Sequence, residues 1–297
     1  MSVTKPKEAN LTLAWVLLCV LALIWGSSFI LIKKGVSVYS ASQVGSLRIF
    51  SAAVFLLPLV FFHLRKVPRD KIPVMFISGL LGNLIPSFLF AAAGTKLNSS
   101  VSGILNALTP LFTLLVGALF FSQSIAREKL IGLLIGLAGC VFLIVINAEG
   151  KLDFTNYYAI LPVVATFCYG INANLVKRYL NTIPSLQITS VALCSVGVLA
   201  GAYFFSTDID ISVVQTREGL LAMGCVLLLG LMGTAVATVL SNKVIQLAGP
   251  IFTASVTYLI PVVALGWGLL DGEKLTWVQY ISMIAIIAGV YMVNRKK

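Results

Sequence analysis

Arg48 lies inside the apolar run ASQVGSLRIFSAAVFLLPLVFF (41–62) and is the one charge well inside any such run of the chain. The other residues able to act on a small molecule are aromatics, amides and hydroxyls buried in similar runs. They are Trp25, Ser28, Asn83, Ser87, Ser102, Asn106, Tyr169, Asn172, Thr234, Thr238, Thr257 and Tyr258. These groups donate and accept hydrogen bonds or present ring faces. They suit holding a molecule rather than breaking its bonds. Sets that react are not apparent. The single histidine, His63, is expected in a loop, so no buried Ser–His pair is expected. Cys19, Cys140, Cys168, Cys194 and Cys225 are scattered at spacings that match neither a metal motif nor a disulfide framework. No GxxxxGK[ST] sequence occurs, so nucleotide is not expected as fuel. An enzyme, a metal centre and a cofactor are therefore not expected.

The elements that must position these residues follow from composition. Of 297 residues, 59% are hydrophobic and 10% charged, and mean hydropathy is +1.01. A soluble domain needs far more charge on its surface, so the chain reads as an integral membrane protein. Windows of about 20 apolar residues, the length that crosses hydrocarbon, fall at 11–33, 41–62, 71–95, 98–122, 129–147, 157–178, 185–205, 219–241, 249–270 and 275–293. Short connections leave no room for a soluble domain. MSVTKPKEAN is short and polar, and the run after it reads as a retained helix rather than a signal peptide.

The net charge of +11 is topological. With a cytoplasmic N-terminus, Lys and Arg in the inner segments outnumber those in the outer ones by more than two to one. Both termini are thus expected in the cytoplasm, and nucleic acid is not an expected partner. At seven residues past Ala41, Arg48 would lie about 10 Å deep. It would either snorkel as a structural residue or meet an anionic group of a bound molecule.

Self-comparison divides the chain into residues 1–150 and 151–297. A shift of 151 lays Gly79, Gly82, Asn83, Pro110 and Gly117 on Gly230, Gly233, Thr234, Pro261 and Gly268. A shift of 144 lays Trp25, Gly26 and Gln43 on Tyr169, Gly170 and Gln187. Five spans per half is odd, so the second half must be inverted. The expected fold is an all-α membrane protein of ten transmembrane helices in two inverted five-helix repeats, the architecture of alternating-access carriers. Polar stripes at helical spacing run through spans three, four, eight and nine. Pro86, Pro110 and Pro261 interrupt those spans and are expected to bend or gate them, as proline frees a backbone carbonyl. Bent helices with polar inner faces enclose a cavity. Small residues packing helix on helix are the alternative for any one position.

WGSSF (25–29), SLRIFSAAVFLLPL (46–59), LTPLFTLL (108–115), LIPVVALG (259–266) and GEKLTWVQYISMIAIIAGVYMV (272–293) together resemble EamA-type permeases of the drug/metabolite transporter superfamily. The resemblance covers nearly the whole length. It puts Glu273 in the family's glutamate position, while the first-half counterpart is Gln123. It implies a polytopic permease, often an exporter of metabolites such as amino acids, in a bacterial inner membrane. The residues themselves point to a neutral or zwitterionic, moderately apolar substrate, with Trp25, Tyr169, Tyr258 and Trp267 offering ring faces. No acid lies deep, which favours facilitated diffusion or exchange over proton coupling. A channel-like facilitator, or a structural or assembly role without transport, are the alternatives. A monomer and a homodimer are both compatible with the chain. Lys33 and Lys34 read as interfacial anchors, and Ser27 as structural.

Overall fold

Apolar runs in a medium without water must close their own backbone hydrogen bonds, and these do so as helices. The computed structural model describes residues 8–121, 127–145, 157–208, 210–248, 252–253 and 256–294, and they are helical almost throughout. The long helices are α1 (Glu8–Val36), α2 (Ala41–His63), α3 (Ile72–Gly79 continued by Ile85–Gly94) and α4 (Ser99–Asn106 continued by Thr109–Phe121). They continue as α5 (Arg127–Val145), α6 (Ile160–Tyr179), α7 (Ser185–Ser206) and α8 (Arg217–Leu228 continued by Ala237–Ala248). Last come α9 (Val256–Leu270) and α10 (Trp277–Asn294). Among the described residues, seven helices are long and apolar enough to cross a membrane, and apolar stretches of α5, α9 and α10 are shorter. Leu270 is 81% exposed and Phe61 71%, so the outer surface is itself apolar and suits lipid.

Local sequence sets the starts and breaks. Ser40 and Gln43 close a capping box at the head of α2, with Gln43 N donating to Ser40 Oγ at 3.2 Å and Ser40 N to Gln43 Oε1 at 3.0 Å. Pro110 has no N–H to offer the Asn106 carbonyl, so α4 breaks at Ala107–Leu108. The Thr109 hydroxyl takes that carbonyl instead, at 2.8 Å. In α3 and α8 the break is a widened π-turn, Leu80–Leu84 and Leu229–Val236. Shifted by 151 residues, the first falls within the second. The α8 helix also outruns its expected end, because the polar SNKVIQ segment continues as helix to Ala248. Pro86 opens the second part of α3, and Pro261 lies inside α9.

Packing between the halves is exchanged in pairs. The α1 helix packs on α9 and α6 on α4, while α2 packs on α7 and α5 on α10. Glycines make these approaches close. A Cβ on Gly26 would stand 2.5 Å from Val263 Cβ, and one on Gly170 2.8 Å from the Phe112 carbonyl carbon. Likewise a Cβ on Gly79 would meet Ala192 O at 2.5 Å, and one on Gly230 would meet Arg48 O at 2.6 Å. Under the shifts of 144 and 151, each contact maps onto its pair. That is the pattern produced by a two-fold axis between the halves.

Candidate functional site

A cavity of about 190 Å³ lies where the exchanged contacts converge. One water needs roughly 10–15 Å³ on this measure, so there is room for a small metabolite. Its walls repeat the pairing. Trp25 and Tyr169, Ser28 and Asn172, Asn106 and Thr257, and Gly82 and Gly233 all line it. Glycine at 82 and 233 is needed for space: a Cβ there would stand 2.4 Å from Asn172 Nδ2 and 2.7 Å from Ser28 Oγ respectively.

The two π-turns help to bring polar groups of α3 and α8 to the wall. A π-turn rotates the helix after it and shifts carbonyls from their usual partners. In α8, Gly233 O accepts from Trp25 Nε1 at 3.1 Å, which fixes the indole against the cavity. Asn83, in the α3 π-turn, accepts from Thr238 Oγ1 at 3.3 Å and so joins α3 to α8. Asn172 Oδ1 accepts from Ser78 Oγ at 2.7 Å, joining α6 to α3. Asn242 Nδ2 donates to Thr189 Oγ1 at 2.9 Å, joining α8 to α7. A wall of rings completes the site, with Phe90 stacked on Tyr169 at 6.2 Å and met edge-on by Phe29 at 5.5 Å.

Arg48 reaches the cavity from α2. Its Nε donates to Thr234 Oγ1 at 2.7 Å, so it turns inward to a partner in the α8 π-turn rather than outward to the interface. Among the described residues no Asp, Glu, Lys or His lines the cavity, and Arg48 is in no ion pair. Nor do His, Cys, Asp and Glu gather there as a metal site among the described residues.

Of the residues singled out from sequence, Trp25, Ser28, Arg48, Asn83, Asn106, Tyr169, Asn172, Thr238 and Thr257 line the cavity. Thr234 lies behind it, buried, and holds Arg48. Ser87 is buried and donates to Gly45 O at 2.9 Å, which ties α3 to α2. Ser102 is buried within α4 and is not among the lining residues. The side chain of Tyr258 lies outside the described residues, as does Gln123. Trp267 is 44% exposed and donates to Ser27 Oγ at 2.8 Å, so this ring serves the α1–α9 contact instead of the cavity. Phe29, Phe90, Ser78 and Asn242 also line the cavity, beyond the residues that the sequence pattern marks. Helical spacing could have found Phe90, three residues past Ser87 on the Asn83 stripe. Asn242 was hidden because it follows the expected end of span eight.

At the end of α1, Lys33 does more than anchor the helix. Its Nζ donates to Asp271 Oδ2 and Glu273 Oε1, each at 2.8 Å, and Lys34 pairs with Asp271. The Glu273 carboxylate is buried and also accepts from Ser99 N and Oγ, both 2.9 Å, and from Ser100 N at 3.2 Å and Oγ at 2.7 Å. Burial pushes this carboxyl up, but the bonds from Lys33, Ser100 and the two backbone N–H groups outweigh it and hold its pKa at about 2. Hydrogen bonds from Lys33 and Lys34 likewise lower that of Asp271. One carboxylate thus caps α4 and joins it to α1 and to the α9–α10 turn.

The EamA-like transporter family model matches this chain twice, over residues 12–145 and 156–295. The chain belongs to the EamA-like transporter family. An uncharacterized inner membrane transporter, YedA, from Escherichia coli K12 is 27% identical over 284 residues, covering 93% of this chain and 89% of the relative. An uncharacterized transporter from Archaeoglobus fulgidus is 24% identical, covering 95% and 99%. A "probable amino-acid metabolite efflux pump" from Salmonella typhimurium LT2 is 25% identical, covering 91% and 90%. A crystal structure of another protein aligns with a TM-score of 0.64 at 16% identity over 94% of this chain and 95% of that one, which establishes a shared fold. With this family go the drug/metabolite transporter superfamily, a multi-pass membrane location and transport rather than enzymatic turnover.

Proposed function

We propose that this EamA-family transporter is a secondary carrier, working as an exporter, for a small neutral or zwitterionic metabolite such as an amino acid. It crosses the membrane ten times, as two inverted five-helix halves over residues 1–150 and 151–297, with both termini in the cytoplasm. The halves rock about the two-fold axis and expose the cavity to each side in turn. The observation that carries the reading is the cavity itself, closed around that axis by equivalent residues from both halves, Trp25 with Tyr169 and Ser28 with Asn172. A site shared by two related halves is what alternating access requires. Pro86, Pro110 and Pro261 are the points at which the polar helices would flex. The excess of Lys and Arg in the inner segments supports the orientation, and the efflux-pump relative supports the substrate class.

The substrate-contacting residues are the nine cavity-lining residues named above, with Arg48 held by Thr234. Flux of amino acids into proteoliposomes tests this reading. Trp25→Ala and Asn106→Ala each lower flux while leaving membrane insertion and protein yield unchanged. Wild-type flux in both variants rejects the cavity as the path. A second reading concerns energy. The cavity carries no carboxylate or histidine among the described residues, so facilitated diffusion or exchange fits better than proton coupling. Accumulation of substrate against its gradient under an imposed proton gradient would overturn that choice.

A further inference from the structure

We propose that Arg48 is the docking point for a carboxylate of the substrate, and that the cavity makes no charge-specific demand for an amino group. The preferred ligands are then apolar monocarboxylates, with or without an α-ammonium. This inference rests on the transport reading above and redraws its substrate class: a carboxylate is required, and a monoanion is admitted beside the zwitterion.

The guanidinium is held at one nitrogen and open at two. Nε is engaged by Thr234 Oγ1 at 2.7 Å, and that hydroxyl turns its own proton to Leu229 O at 3.4 Å, which keeps it an acceptor for Arg48. Neither terminal nitrogen of Arg48 has a partner among the described residues. Nor is either sealed in protein, because the one fully buried side-chain polar atom without a partner, among the described residues, is Ser282 Oγ. The terminal nitrogens therefore open on the cavity that Arg48 lines. A planar fork with its side nitrogen fixed matches the two oxygens of a carboxylate.

Charge balance points the same way. An unpaired cation inside a membrane protein is costly, and a counter-charge relieves it. The described walls supply none, so a ligand with one negative charge at this point would neutralise the site. A phosphate dianion would leave its second charge unmatched. The two-fold counterpart of Arg48 is Ala192, whose carbonyl approaches Gly79 as that of Arg48 approaches Gly230, so the same backbone contact is made at a position without a cation.

An α-ammonium, by contrast, would find no carboxylate among the described lining residues. It would meet amide and hydroxyl oxygens and ring faces, which attract a cation without pairing its charge and so add to binding without deciding it. The body of the ligand would lie on Trp25, Phe29, Phe90 and Tyr169, which favours an apolar or aromatic side chain.

The test uses the full chain, purified and reconstituted, with two matched sets of probes. They are leucine and phenylalanine, their primary amides, their decarboxylated amines and their deaminated acids. Thermal shift reads binding, and proteoliposome flux reads transport. The amino acid and the deaminated acid of at least one set should stabilise the protein, and the amide and amine should not. Arg48→Gln should weaken binding of the acids about tenfold or more, and Arg48→Lys less. Thr234→Val should keep the charge but reduce the preference for acid over amide, which a merely structural role for Thr234 would not do. Where Arg48→Gln is not recovered, the wild-type comparison of acid with amide still decides. Equal binding of amide and acid, or no carboxylate-dependent shift in either set, overturns the proposal. If amides or amines are transported, the carrier reading stands and the carboxylate reading falls. If no probe of any class binds or moves, both fall.

Discussion

Glu273 shows how much one ionised oxygen pair can organise. Its carboxylate accepts from the first two residues of α4 and from Lys33, five bonds in all to Ser99, Ser100 and Lys33. Charge-assisted bonds to a helix N-terminus are among the stronger surface-region contacts. Glu273→Gln keeps the shape and removes the charge, and its NH2 group then faces donors. The variant should melt at a lower temperature than wild type at neutral pH. The sign with pH follows from the depressed pKa. A carboxyl at about 2 in the fold and 4.5 outside it contributes its stability above about 4.5 and loses it as pH falls toward 2. The gap in melting temperature should therefore be widest above that range and shrink within it. An equal gap at acid and neutral pH would show that the amide NH2 facing the donors, not the lost charge, is what destabilises the variant.

At the level of the helix, the polar wall depends on breaks. Pro110 leaves α4 with two tight turn bonds, Ala107 N to Ile104 O and Leu108 N to Leu105 O, both 3.1 Å. Asn174 Nδ2 reaches across from α6 to the Thr113 carbonyl just beyond the break, at 2.8 Å. Pro110→Ala would restore an N–H for the Asn106 carbonyl, a change worth up to about 3 kcal/mol to a continuous helix. It should leave the melting temperature unchanged or raised, while turning Asn106 away and lowering flux. Unchanged flux would mean that the bend is not used. Such breaks were partly legible in the sequence. A proline between Thr109 and Leu111 announces itself, and the matching of Trp25 with Tyr169 was visible because aromatic and glycine recur together. The π-turns were not legible, since LLGNL and LGLMGTAV read as ordinary apolar helix and only packing forces the extra residue. The Lys33–Glu273 pair was hidden too. Its partners are 240 positions apart, and the repeat gives no hint of it, because Gln123 stands where a second carboxylate would have revealed the pattern.

Across the whole molecule the two ends of the cavity differ. Toward the end that carries Lys33, it is floored by Phe29, Ile32 and Phe90, all buried, and beyond them Glu273 and Asp271 bind α1, α4 and the α9–α10 turn together. Toward the other end the lining continues through Thr189 and Ile188 near the start of α7 and through Asn242 and Ile245 near the end of α8. Ile245 is only three residues from the end of its helix, about 5 Å at the α-helical rise. In the proposed orientation, with the termini in the cytoplasm, the charged cluster would lie at the outer face and the cavity would open inward. On the export reading proposed above, that cluster would act as a clamp that must part before substrate leaves the cell. Thiol labelling in a background lacking the five native cysteines checks this. In inside-out vesicles, a membrane-impermeant reagent should modify Ile245→Cys readily, and saturating ligand should slow it. Ser100→Cys, seated beside Glu273, should resist the same reagent applied from outside. Adding Glu273→Gln should speed that outside reaction and slow the inside one, because weakening the clamp shifts the population toward the outward-facing form. Rates that rise at both ends together would describe an open pore, and the carrier mechanism would give way to the channel.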